Sequence, residues 1–266
     1  MTSSTLTTAL RAVAEQLARG AGDMALAGRK SGALRADTKS SPTDMVTQYD
    51  TASEAMITAG LAELRPLDSI VGEEGASKTG TSGITWHIDP IDGTSNFYFD
   101  IPMWAVSIGA VDANGPLVGA VYAPALGEMF TAARGQGATL NGAPVSCRDN
   151  TLLTDALVCT GYSYRVHERT HHARRVANMV TEIRDIRRFG AAAIDLCFVA
   201  CGRYDAYFEE HLHSWDLVAG QVIATEGGAI VTDYSGDDVT PRQVLAASPG
   251  IHRQLIDLIA RAGAEQ

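Results

Sequence analysis

The sequence predicts a layered α/β fold, and three observations predict it. The apolar run Trp86-His87-Ile88 leads into two carboxylates three positions apart, Asp89 and Asp92, and on through Gly93 to Thr94-Ser95-Asn96-Phe97. That order reads as strand, turn and helix start. Residues 103–130 carry several apolar runs broken by turn residues, such as Asp112-Ala113-Asn114-Gly115, which reads as an antiparallel hairpin series. From residue 156 onward, short apolar runs alternate with helix-patterned segments.

The elements follow in order. Residues 5–27 place Leu6, Leu10, Val13, Leu17 and Met24 near helical spacing, so a long amphipathic helix opens the chain. Residues 28–36 form its exit loop. Met45, Val46 and Thr47 are extended, and Thr47 caps a helix over 48–64 with Asp50 in its first turn, where the helix dipole favours an acid. Residues 68–72 are a strand that runs into Glu73 and Glu74, and the Gly/Thr/Ser-rich stretch 78–83 reads as a mobile linker. Pro90 has no N–H for a sheet, which predicts that the next strand ends near Asp89, with Thr94 as a helix N-cap. Strands follow at 104–111, 117–123 and 128–132. Past residue 156 the expected elements are a strand at 156–160, a polar-faced helix at 167–181 and a strand at 183–189. A helix at 190–201, a strand at 204–208 and a helix at 214–225 ended by Gly227-Gly228 come next. Strands at 229–232 and 243–247 and a helix at 249–260 close the chain. No internal repeat is present.

With 266 residues, 45% hydrophobic and 20% charged, the chain can bury a sizeable core. We expect one domain over 1–266, with an N-terminal α+β half (about 1–150) and a C-terminal α/β half (about 151–266). Net charge is −10, from 21 basic and 31 acidic residues. No basic stripe offsets it, which argues against nucleic-acid binding. None of Cys147, Cys159, Cys197 and Cys201 forms a Cys-x-x-Cys pair, so buried thiols are expected rather than disulfides or zinc. No signal peptide or apolar run of membrane-spanning length is evident, so a cytoplasmic location without a membrane partner is expected. His171 and His172 are adjacent instead of one turn apart and are read as solvent-exposed, and Trp215 as a core residue.

The chemistry gathers at the 86–97 stretch. Asp89, the Ile91 carbonyl and Asp92 are hard oxygen donors suited to Mg²⁺ or Mn²⁺. The N–H groups of Gly93 and Thr94 point to the same place and suit a phosphate. Capping and turn chemistry would also account for Asp50, Asp92 and Thr94. Glu73, Asp89, Asp92 and Asp216 all follow strand-like segments or begin helices, and in an α/β sheet such ends converge. Two unit charges ~4 Å apart repel by about 4 kcal/mol at an effective dielectric of about 20, so the cluster calls for divalent cations.

Three motifs carry a resemblance: Gly72-Glu73-Glu74, Asp89-Pro90-Ile91-Asp92-Gly93-Thr94 and Trp215-Asp216-Leu217-Val218-Ala219-Gly220. In order and spacing the sequence resembles the inositol monophosphatase family of the lithium-sensitive, Mg²⁺-dependent phosphatase superfamily. The resemblance implies an αβαβα sandwich like that of fructose-1,6-bisphosphatase, a homodimer, and a Mg²⁺-dependent hydrolysis of inositol 1-phosphate by activated water. It also implies two to three Mg²⁺ ions, with Mn²⁺ as a substitute. Glu73, Asp89 and the Ile91 carbonyl would hold the first ion, and Asp89, Asp92 and Asp216 the second. A third ion would lean on Glu73. Thr94, supported by Asp50, would orient the water. The Gly93 and Thr94 amides would hold the phosphate, and Asp92, Ala192, Glu209 and Asp216 would contact the alcohol. Lys39 would lie on a mobile loop near the metals. The alternative substrates are histidinol phosphate, fructose 1,6-bisphosphate and adenosine 3′,5′-bisphosphate. A non-enzymatic scaffold is the competing class.

Overall fold

The structure is a computed structural model that describes residues 3–32, 34–39 and 44–264. In chain order the elements are α1 (Ser3–Lys30), β1 (Ala36–Thr38), β2 (Met45–Thr47), α2 (Gln48–Leu64), β3 (Ser69–Gly72), β4 (Ser77–Lys78), β5 (Thr85–Asp92), α3 (Thr94–Tyr98), β6 (Ala105–Asp112), β7 (Gly115–Ala123), β8 (Glu128–Ala133), β9 (Ala138–Leu140) and β10 (Ala143–Val145). There follow β11 (Leu157–Thr160), α4 (Val166–Met179), β12 (Asp185–Arg187), α5 (Ala192–Ala200), β13 (Ala206–Glu210), α6 (Ser214–Glu226), β14 (Ile230–Thr232), β15 (Gln243–Ala247) and α7 (Pro249–Gly263).

Two sheets organise the layers. The first has eight strands in the order β10-β9-β8-β7-β6-β5-β3-β4, and the second has five in the order β12-β11-β13-β15-β14. Neighbours from β5 through β10 are antiparallel, as the turn residues predict, while β3 runs parallel to β5. Helices α1 and α2 cover one face of the large sheet through Leu10, Leu17, Ile57 and Leu61 against Trp86, Ile88, Ile108 and Tyr122. Its other face shares a core with α5, α6 and the small sheet, where Val121 and Phe130 meet Leu196, Phe198, Ile223 and Tyr207. Helix α7 closes the far side with Ile251, Leu255 and Ile259 against Val158, Phe208 and Leu245. The result is the αβαβα sandwich.

One close approach sets the position of α6. A Cβ on Gly109 would stand 2.7 Å from the Ala219 nitrogen, and one on Gly119 would stand 2.4 Å from the Ala219 oxygen. Only glycine lets the helix lie this near β6 and β7, and that seating carries Asp216 at the helix start to the end of β5.

Several local expectations need correction. Strand β5 continues past Pro90 to Asp92, because the pairing with β6 shifts register between Asp89 and Asp92 and so accommodates a residue without an N–H. The N-cap of α3 is Gly93 at φ +87°, and Thr94 is instead the first helical residue. The 78–83 stretch is anchored, since Gly80 N–H donates to Ser69 Oγ and Thr81 N–H to the Leu67 carbonyl. The strand expected over 204–208 is shifted to 206–210, which draws Glu209 and Glu210 into it. The loop that was to carry Lys39 extends into residues 40–43, which lie outside the described residues. All four cysteines are free, with Cys197 buried and Cys201 half-buried.

Candidate functional site

A cleft of about 460 Å³ opens where β5, α5, β13 and α6 meet. Its lining includes Lys39, Glu73, Asp89, Ile91, Asp92, Gly93, Thr94, Ala192, Glu209 and Asp216. Asp50 is the one expected site residue that does not line it. It is fully buried behind Thr94, whose hydroxyl lies 3.0 Å from Asp50 Oδ1 and 3.0 Å from the Ile91 carbonyl.

Each of the four aspartates is held by backbone donors. Asp89 Oδ1 accepts the Ile91 N–H at 3.0 Å. Asp92 accepts the first two N–H groups of α5, Ala192 at 3.1 Å and Ala193 at 2.7 Å. Ala192 therefore lines the cleft with its N–H already engaged. Asp216 is the third residue of α6 and accepts the His213 N–H at 2.6 Å. Asp50 holds the same helical position in α2 and accepts the Thr47 N–H at 2.8 Å and the Thr47 hydroxyl at 2.5 Å. Capping chemistry thus coexists with the placement of these acids at the cleft. The backbone of the 74–76 turn donates to Glu54, Glu74 N–H at 2.8 Å and Ala76 N–H at 2.9 Å, which fixes Glu73 at the rim. Nothing in the sequence singled out Glu54, because its role depends on a turn twenty residues away.

Strand alternation separates the two acids of β13. Glu209 shares a face with Tyr207, whose hydroxyl donates to Glu209 Oε2 at 2.6 Å. Glu210 points the other way and meets Arg175 of α4 at 2.7 Å. Lys39 reaches Glu73 at 2.8 Å and also pairs with Glu74. Trp215 does not join the core as expected. It lines the cleft and stacks on the His213 ring at 4.6 Å. His172 is likewise buried rather than exposed, because α4 turns that side inward, where the His172 ring meets Glu210.

The electrostatics show strain between like charges. Burial, then repulsion from Glu73, Asp92 and Asp216, pushes Asp89 well above the usual carboxylate range. Burial also lifts Asp92 to about 7 against the pull of the Ala193 N–H, and raises Asp216 well above its ordinary value. Asp50 rises to about 6, chiefly by burial. For Lys39, burial pulls the other way, yet Glu73 and Glu74 hold its ammonium above the ordinary lysine range. Hard-oxygen side chains, buried and mutually repelling, are a donor set that fits divalent cations such as Mg²⁺. Charge neutralisation by such ions would lower every one of these carboxyls.

The class the structure defines is an αβαβα sandwich with an acidic cleft at its strand ends. The family model described as "Inositol monophosphatase family" matches residues 7–264, and the chain belongs to that family. An inositol-1-monophosphatase of Mycobacterium bovis is 42% identical, across 95% of this chain and 93% of the relative. A protein named Nus factor SuhB from Vibrio cholerae is 38% identical, across 80% of this chain and 81% of its own. The extragenic suppressor protein suhB of Bartonella henselae has a solved structure that superposes with a TM-score of 0.90 at 32% identity, covering 94% of this chain and 98% of that one. The family is one of phosphatases, generally metal-dependent. Among the described residues, no helix is long and apolar enough to cross a membrane.

Proposed function

We propose that this chain is a Mg²⁺-dependent phosphomonoesterase that hydrolyses inositol 1-phosphate to inositol and phosphate. The observation that carries the reading is the cluster of mutually repelling carboxylates, buried Asp89 and Asp92 with half-buried Asp216, beside Glu73, and the Thr94–Asp50 pair directly behind it. Glu73, Asp89, Asp92, Asp216 and the Ile91 carbonyl would hold two to three ions. When bound, they supply the positive charge that polarises the phosphoryl group, acidifies the attacking water and offsets charge on the leaving oxygen.

The chain's own residues do the positioning. The Thr94 hydroxyl has one proton and two acceptors, Asp50 and the Ile91 carbonyl, so its lone pairs remain free to take a hydrogen bond from water. That aligns a water oxygen with phosphorus. The backbone at Gly93 and Thr94 faces the phosphate. Glu209 uses Oε2 for Tyr207 and keeps Oε1 for a polyol hydroxyl. The water oxygen gives up a proton to solvent and forms a bond to phosphorus as the phosphorus–ester oxygen bond breaks, and the leaving oxygen takes up a proton from solvent to become the alcohol. Direct attack predicts inversion at phosphorus.

A second reading keeps this chemistry but changes the substrate to a bisphosphate, such as fructose 1,6-bisphosphate or an adenosine bisphosphate. Arg188 and Arg242 favour it, because both line the cleft and both are exposed there as cations. Histidinol phosphate is a further candidate within the same chemistry. Assaying these esters beside inositol 1-phosphate, with Mg²⁺ and with a chelator, tests the reading. Fastest turnover of inositol 1-phosphate, abolished by chelation, supports it, and a preference for another ester moves the assignment. No Mg²⁺-dependent turnover on any of them would favour a partner-binding scaffold, a possibility raised by the Nus factor name of the Vibrio relative. A homodimer and a cytoplasmic location belong to the same proposal, and sedimentation and fractionation test them.

A further inference from the structure

A second group of ligand-type side chains lies beside the cleft, reaching its lining through Glu210 and His211, and the phosphatase reading does not use it. His172 of α4, Glu210 at the end of β13 and His211 just after it each bring one ligand atom to within 4.8 Å of the others. No other trio among the described residues, the carboxylate cluster included, is as tight. His172 is 5% exposed, and neither ring nitrogen has a hydrogen-bond partner. Its Nε2 comes within 2.7 Å of Glu210 Oε2, close enough for an ion pair but at angles that make no hydrogen bond. Buried polar atoms normally have partners, yet Nδ1 has none and Nε2 has only this off-angle carboxylate, so the pair leaves ligand capacity unused.

The surroundings complete the donor set. The His211 ring stacks beside His172 with centroids 5.7 Å apart, and its Nδ1 lies 3.9 Å from Glu168 Oε1. Glu210 also accepts from Arg175 Nη1 at 2.7 Å and from Gln243 Nε2 at 3.3 Å. Burial works against its charge, but His172 and Arg175 hold the carboxyl down to about 2, so it is an anion at neutral pH.

We propose that His172, Glu210 and His211 form a binding site for one transition-metal cation of the Zn²⁺ class, distinct from the carboxylate cluster. Two imidazole nitrogens with one carboxylate oxygen suit zinc, cobalt or nickel better than Mg²⁺. Glu168 or a water can take a fourth position. Arg175 weakens the pull of Glu210, so the imidazoles carry the affinity. The cation would pin the 211–213 link, which joins Glu209 on β13 to Asp216 on α6.

Titration with Co²⁺, followed by its visible d–d absorption in saturating Mg²⁺, tests the site on the whole protein. The expected result is one equivalent bound with histidine-type absorption. His211→Gly suits the backbone there, whose φ is +63°, and should weaken binding by roughly tenfold or more. His172→Gln should do the same, with circular dichroism confirming the fold of each variant. A Co²⁺ titration unchanged in both variants, or uptake that Asp92→Asn alone removes, overturns the proposal.

Discussion

Thr94 shows how much can depend on one hydroxyl. It sits between Asp50 and the Ile91 carbonyl at the back of the cleft, and its only other duty is to begin a five-residue helix. Thr94→Ala should lower kcat by roughly 10²- to 10⁴-fold with little change in KM, and Thr94→Ser should recover much of it. Steady-state kinetics on the preferred ester would read this, and an Ala variant with undiminished kcat would remove Thr94 from the chemistry. Glu209 makes a different prediction. Its free oxygen serves the alcohol, so Glu209→Gln should cost about tenfold in kcat/KM on inositol 1-phosphate and far less on an aryl phosphate that lacks the polyol. Equal losses on both esters would show that Glu209 does not read the alcohol. At this scale the acids were legible because their types and spacings are unusual together. The burial of His172 was not, since adjacent histidines on a polar helix look alike until the packing face is known.

Elements determine where those side chains meet. Asp216 reaches the end of β5 only because α6 lies against Gly109 and Gly119. Gly119→Ala puts a methyl 2.4 Å from a backbone oxygen that cannot rotate away, and it should destabilise the fold by about 1–3 kcal/mol. Thermal unfolding would show the loss, and activity should fall further than in a surface control of equal stability, because Asp216 moves with its helix. A variant that keeps both its melting temperature and its activity would mean that α6 has slack. Periodicity and turn residues foretold most helices and the antiparallel middle of the large sheet. They failed at β5, where the expected stop at Pro90 ignored a register shift that only the partner strand β6 can provide. They failed again at β13, whose two-residue displacement draws Glu209 and Glu210 out of the expected loop and into the strand, where alternation separates them.

Across the whole molecule, the buried acids set a pH dependence. Burial pushes Asp50 up to about 6 and Asp92 up to about 7 in the folded metal-free protein and raises Asp89 and Asp216 as well, whereas unfolded carboxyls titrate at about 4. The folded state therefore binds more protons between those values, and the stability of the metal-free protein should fall as pH rises from about 4 to about 7. Glu210 acts in the opposite sense, since its folded value is about 2 and its contribution is lost only as pH falls below the unfolded value. Chemical denaturation at several pH values, with a chelator present, measures the slope. Saturating Mg²⁺ should flatten it and add about 2.7 kcal/mol when the free ion is at a hundred times its Kd. A metal-free protein that grows more stable from pH 5 to 7 would contradict this picture of the acid cluster.

The sequence by itself determined the identity of the acids, the helix caps that seat Asp50, the order of most elements and the family likeness, because these rest on residue type and on spacing along the chain. Tertiary structure alone decided that α5 holds Asp92 through two amide groups, that Glu54 grips the turn beside Glu73, that Lys39 pairs with Glu73 and Glu74, and that His172 is buried against Glu210. The physical reason is the same in each case. Burial, repulsion and hydrogen-bond satisfaction depend on which distant segments come together, and local spacing does not carry that information.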